Sequence, residues 1–165
     1  MGPAHLGAGF AAKTIAPTAP LWALLVAGEA LDLLYLGFST LGLENAGVTS
    51  VTLEKGLSVI VPGSTPWSHG LLMTLVWTLL AAGLAQLRYR NRWTSGVIGL
   101  TVLSHWALDV VVNPGLPLLF DGSPKVGLGL WCSGPGLILS LILDFGLLAA
   151  GVVLYLRHRR HMARG

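Results

Sequence analysis

WTSGVIGLTVLSHWALDVVV, residues 93–112, decides how this chain is read. As a helix rising 1.5 Å per residue it would be about 30 Å long, the thickness of a bilayer's hydrocarbon core. Within it the titratable groups are His105 and Asp109, four apart and therefore on one helix face. An ionisable side chain at mid-bilayer costs about 2.5–3.5 kcal/mol even on lenient insertion scales. A span that keeps two of them must pair them with something.

Three other stretches have the same character: Leu21–Leu43, Trp67–Leu87 and Gly136–Leu156. Each is close to the roughly 20 residues that a crossing needs. Each also holds polar intruders: Glu29 and Asp32 in the first, His69 at the start of the second, Asp144 in the last. Composition agrees, since 53% of the 165 residues are hydrophobic and only 10% are charged, against about 25% charged in a soluble domain. The expected fold class is an all-α membrane protein, a single integral-membrane domain over residues 1–165 with four transmembrane helices. Helices are required because lipid cannot satisfy open backbone groups.

The net charge of +3 does not indicate nucleic acid, because the positive residues gather at span ends. Lys13, the Arg88–Arg90–Arg92 link and Arg157, Arg159, Arg160 and Arg164 in the basic tail 157–165 make eight of the ten Lys/Arg. Only Lys55 and Lys125 fall on the other side. The bias places both termini in the cytoplasm. Trp22, Trp67 and Trp93 stand at span ends, where aromatic anchors belong. Cys132 is the single cysteine, so no internal disulfide forms. No cleavable signal peptide is visible, and the first span is expected to act as the targeting signal.

Two outer loops remain. In the first, VTSVTL and LSVIV flank Glu54-Lys55-Gly56, alternation around a glycine that predicts a small β-hairpin. The second, 113–135, holds Pro114, Pro117, Pro124 and Pro135 yet stays apolar. It is expected to be irregular, either a lid folded onto the membrane surface or an ordered connector. The N-terminal segment 3–16, PAHLGAGFAAKTIA, is helical in spacing and too short to span. Half-inserted from Lys13, it would carry His5 about 12 Å deep, near the midplane. Lying flat, it would leave His5 in water.

Depth arithmetic brings the intruders together. Asp32 and Asp144 fall near mid-span, while His105, Asp109 and His69 fall between the middle and the outer end. One layer of imidazoles and carboxylates suits a divalent ion, with zinc first and manganese or iron as alternatives. An open coordination position would make such an ion catalytic. The competing readings are an interhelical hydrogen-bond network and a proton or ion pathway. A Ser104/His69/Asp109 triad lacks a nucleophile elbow, and His158 and His161 read as part of a basic topology anchor.

The order of these motifs resembles a known family. His5-Leu6-Gly7-Ala8-Gly9, the acidic patch Glu29 and Asp32, SHGLL at 68–72 and SHWALD at 104–109 resemble the N-terminal THxxxG, PDxD, THS and HxxxD of YdjM-type membrane-bound metal-dependent hydrolases. They are still more similar to a set of small bacterial membrane proteins carrying GHxAxGFAAK, LDLL, YSHSLL, LSHWxLD and PKVGLGLW. This chain has AHLGAGFAAK, LDLLYL, WSHGLL, LSHWALD and PKVGLGLW. The likeness runs from His5 to about Tyr155. It departs in two places: Glu29 and Asp32 are three apart rather than two, with no proline, and Gly70 stands where a serine is usual.

The resemblance implies a bacterial inner-membrane location and His5, Asp32, His69, His105 and Asp109 as metal ligands. Glu29 or Asp144 would orient the attacking water or take its proton. The expected function is hydrolysis of a lipid-borne ester or phosphoester, with membrane lipid as the partner. A small ion or solute transporter using Asp32, His105 and Asp144, or a non-catalytic membrane scaffold, stand beside it.

Overall fold

A computed structural model describes residues 2–44, 48–52, 58–62 and 65–164. The chain begins with α1 (Gly2–Ile15), α2 (Leu21–Gly28) and α3 (Ala30–Thr40), followed by β1 (Val48–Thr52) and β2 (Ser58–Pro62). Next come α4 (Pro66–His69), α5 (Leu71–Tyr89) and α6 (Arg92–Val112). Two short strands, β3 (Leu116–Pro117) and β4 (Lys125–Val126), and a 3-10 turn at Leu130–Cys132 lead into α7 (Gly134–Met162). The described chain is thus mostly helical, with small two-stranded sheets at its loops.

α5, α6 and α7, of 19, 21 and 29 residues, are each long and apolar enough to cross a membrane. α2 and α3 together would make a fourth crossing, but their axes diverge by 57°. The stretch read as a span over 21–43 is thus not one continuous helix: Glu29 interrupts it, at φ −93° and ψ 5°. The local cause is tertiary. The Gly28 carbonyl accepts the Nδ1–H of His105 at 2.7 Å, and a Cβ on Gly28 would lie 2.5 Å from the His5 carbonyl oxygen. Two neighbours converge on one backbone residue, and the helix turns there.

Other boundaries follow local chemistry. Arg90 takes a left-handed conformation at φ 52° and ends α5. Asn91 then caps α6 by accepting the Thr94 N–H at 3.0 Å. Ser133 caps α7 through the Gly136 N–H at 3.1 Å, with a proline in the first turn. α7 runs on to Met162, so most of the segment read as a basic tail is its last turns. Arg159, Arg160 and His161 there meet the negative end of the helix dipole. β1 and β2 pair antiparallel from Val48↔Pro62 to Thr52↔Ser58, as the hairpin reading expected. The turn at 54–56 lies outside the described residues.

α1 is packed lengthwise among α7, α2 and α6. Glycines make this possible: a Cβ on Gly9 would lie 2.8 Å from the Leu24 carbonyl, and one on Gly151 would lie 2.8 Å from Gly7 Cα. Small residues let backbones approach this closely. One end of α1 is fixed where Trp93 Nε1 donates to the Ile15 carbonyl at 2.9 Å and Thr18 meets Thr94 at 2.7 Å. The other end delivers His5 to α6. α1 lies within the bundle and His5 is fully buried, not in water as a helix lying flat would leave it.

The loop after α6 is tied down. Leu128 and Gly129 donate backbone N–H groups to the Val110 and Asn113 carbonyls at 2.7 and 3.0 Å. Leu118 accepts from Leu72 N–H at 3.0 Å. Trp131 packs with Ala4, Val112 and Leu143, over the N-terminal end of α1.

Candidate metal centre

Four elements each present ionisable side chains to one point: His5 from α1, Asp32 from α3, His69 at the end of α4, and His105 with Asp109 from α6. His69 Nε2 is 3.3 Å from Asp32 Oδ1 and 3.4 Å from Asp109 Oδ2. His105 Nε2 is 3.6 Å from Asp32 Oδ1 and 3.5 Å from Asp109 Oδ2. His5 Nε2 is 3.4 Å from the other Asp109 oxygen. The His5 ring also stacks on His105, with centroids 3.5 Å apart and 6° between planes.

These separations discriminate between pairing and ligation. A charge-assisted N–H···O bond is about 2.7–2.9 Å long, and none of the five contacts is that short. Four donors around zinc at about 2.0–2.1 Å stand roughly 3.3 Å apart along the edges of a tetrahedron. The four His–Asp distances among His69, His105, Asp32 and Asp109, 3.3–3.6 Å, are of that order.

Proton placement points the same way. A carbonyl only accepts, so the His105 bond to Gly28 puts a proton on Nδ1. A neutral His105 then aims the Nε2 lone pair at carboxylate lone pairs. His105 Nε2 and both ring nitrogens of His5 are buried without a hydrogen-bond partner among the described residues. Buried polar atoms are ordinarily satisfied. A divalent cation among neutral imidazoles and the two carboxylates would partner His105 Nε2 or one ring nitrogen of His5 and would balance the charge. The donor set suits zinc, manganese or iron, and His5, His105 and Asp109, or Asp32, His69 and His105, could each hold an ion.

The cluster is enclosed except on one side. The Asp32 side chain is 46% exposed, whereas those of His5, His69, His105 and Asp109 range from 0 to 9%. Access is past Asp32. A chain of hydrogen bonds supports His69 from outside: its Nδ1 is 2.7 Å from Ser68 Oγ, and Ser68 Oγ donates to Glu44 Oε2 at 2.7 Å. Glu44 Oε1 also accepts the Trp67 and Ser68 backbone N–H groups, both at 2.8 Å. Neither Glu44 nor Ser68 is given a role by the sequence alone. The adjacency of Ser68 and His69 is the one signal that pointed there.

The remaining candidates lie around this cluster. Glu29, at the α2–α3 break, has Oε1 buried without a hydrogen-bond partner among the described residues. It is close enough to Asp32, His105 and Asp109 to interact electrostatically. Asp144 Oδ1 accepts the Ala4 N–H at 3.4 Å in the first turn of α1, outside both ligand groups. Ser104 donates to the Thr101 carbonyl of its own helix at 2.7 Å, so the imagined triad does not form through its hydroxyl. His158 and His161 sit in the last turns of α7, also outside both ligand groups. Cys132 is exposed. Comparison with family models, with curated proteins and with solved structures gives no match.

Proposed function

We propose that the chain is a membrane-embedded, metal-dependent hydrolase acting on a lipid-borne ester or phosphoester. In this reading α5, α6, α7 and the bent α2–α3 pair are the four crossings, in a bacterial inner membrane with both termini cytoplasmic. The observation that carries it is the convergence of three imidazoles and two carboxylates at 3.3–3.6 Å, metal-ligand spacing, inside a bundle whose long helices are apolar. The order of histidine and aspartate motifs shared with the YdjM-type hydrolases agrees with it.

A bound divalent ion supplies Lewis-acid polarisation of a carbonyl or phosphoryl oxygen and lowers the pKa of water. The protein does the rest. His5, Asp32, His69, His105 and Asp109 would hold one or two such ions, in the groups His5–His105–Asp109 and Asp32–His69–His105, and the Gly28 carbonyl fixes the orientation of His105. His5 presses on the second Asp109 oxygen and on the His105 ring, holding both in register. Glu29 takes the proton of the attacking water at its buried oxygen. Asp144 anchors the start of α1 and thereby His5. Asp32, the exposed member, faces the arriving substrate. An apolar groove of about 350 Å³ lined by Ala30, Leu33 and Leu34 of α3 and by Trp77 and Leu80 of α5 runs along the helix that carries Asp32; its lining suits acyl chains.

Elemental analysis of the protein purified in nanodiscs, with hydrolysis assays on lipid esters and phosphoesters, tests the proposal. Stoichiometric zinc, manganese or iron and chelator-sensitive hydrolysis are expected. A metal-free protein indifferent to chelator refutes it, and ion flux in proteoliposomes that survives metal removal favours transport instead.

A further inference from the structure

His69 is held differently from His105. Its Nδ1 meets a hydroxyl, which can give or take a proton, so the ring's tautomer depends on what the hydroxyl does elsewhere. Ser68 Oγ carries one proton and stands 2.7 Å from both His69 Nδ1 and Glu44 Oε2. An ionised carboxylate only accepts. Three donors are aimed at Glu44: the Trp67 and Ser68 N–H groups at Oε1, and the Ser68 hydroxyl at Oε2. With its proton committed to Glu44, Ser68 must accept from His69. The proton of a neutral His69 then sits on Nδ1, and the Nε2 lone pair faces Asp32 and Asp109.

We infer that Glu44, acting through Ser68, sets the tautomer of His69 and so makes Nε2 its metal-binding atom. Both are positioning residues, and the inference rests on the metal centre proposed above. Glu44 also ties the first turn of α4 to the end of α3, a packing role that must be separated from the positioning one. E44Q separates them. The backbone N–H groups share one oxygen of Glu44, so the Gln carbonyl retains both and the Gln NH₂ faces Ser68. The NH₂ donates to Ser68 Oγ, whose proton turns to His69 Nδ1. The ring is forced to carry its own proton on Nε2, and the ligand atom is blocked. S68A instead removes the acceptor and leaves either tautomer open.

The test combines ¹⁵N NMR of the histidine rings in zinc-loaded protein with zinc affinity by chelator competition. The wild type should show His69 protonated on Nδ1, and E44Q should show it on Nε2. Zinc affinity should fall about 10–100-fold in both variants, the usual effect of losing an outer-shell partner. If either variant fails to fold, the other carries the test. Wild-type zinc binding with undiminished affinity in S68A and E44Q, or an unchanged tautomer in E44Q, overturns the positioning role alone. A wild-type chain that binds no divalent ion overturns the metal centre, and the positioning role with it.

Discussion

Replacing Gly151 by Ala tests whether the packing of α1 against α7 determines the site. A Cβ at position 151 would stand 2.8 Å from both Gly7 Cα and Gly7 C, and closer still to the Gly7 carbonyl oxygen. All three are backbone atoms, so no side chain can rotate away. Carbon atoms pack at about 3.5–4.0 Å, so the helices must part by roughly 0.7–1.2 Å. Overpacking of this kind costs about 1–3 kcal/mol. Gly146, on the same helix, has nothing within 4 Å of an added Cβ. There Ala should gain about 0.5–1 kcal/mol from backbone entropy.

The two variants should therefore differ by about 1.5–4 kcal/mol in reversible unfolding by SDS titration. The displaced α1 would also draw His5 from Asp109, now 3.4 Å away, so G151A should weaken zinc binding as H5A does while G146A does not. Equal stability and equal zinc affinity in G151A and G146A would refute the argument.

Four further outcomes are expected. E29Q should lower the hydrolysis rate about 10²–10⁴-fold at unchanged metal content; metal loss in E29Q would make Glu29 a ligand instead. D144A removes an acceptor and a negative charge from the start of α1, and should destabilise the fold by about 1 kcal/mol; a stability equal to wild type contradicts the anchoring role. S104A should leave zinc affinity and hydrolysis unchanged, because its hydroxyl is spent on Thr101; loss of hydrolysis would revive a serine nucleophile. T18C/T94C, in a C132S background, should cross-link under mild oxidation, since the two hydroxyls are 2.7 Å apart; failure to do so would detach α1 from the bundle.

The long helices were legible because an apolar run of 20 residues has few alternatives. Asp32, His69, His105 and Asp109 were legible because an acid or histidine in such a run has to be explained, whereas His5, in a segment too short to span, was reached through helix depth and motif order. The kink at Glu29 was not legible. No proline marks it, and its causes, the His105 ring on the Gly28 carbonyl and the His5 carbonyl against Gly28, come from α6 and α1. The Glu44–Ser68 link was hidden for a similar reason, since 24 residues and a hairpin separate its ends. The placement of α1 turned on Gly7, Gly9, Gly28 and Gly151. A glycine in sequence does not disclose which backbone will approach it.

The packing of α1 against α7 has a consequence for biogenesis. The helix bearing His5 depends on a partner whose Asp144 is 140 positions later in the chain. At about 5–20 residues per second of synthesis, those 140 positions take roughly 7–30 s to appear. During that interval α1 has no α7 to dock on and, in the membrane reading proposed above, would wait as a short helix at the membrane surface. The flat arrangement that the sequence allows is then the nascent state and the docked one the finished state, with the metal site completed last. A cysteine at position 4 should react with water-soluble reagents in chains halted at Val112 and be protected in the complete one; equal reactivity would show that α1 docks without α7.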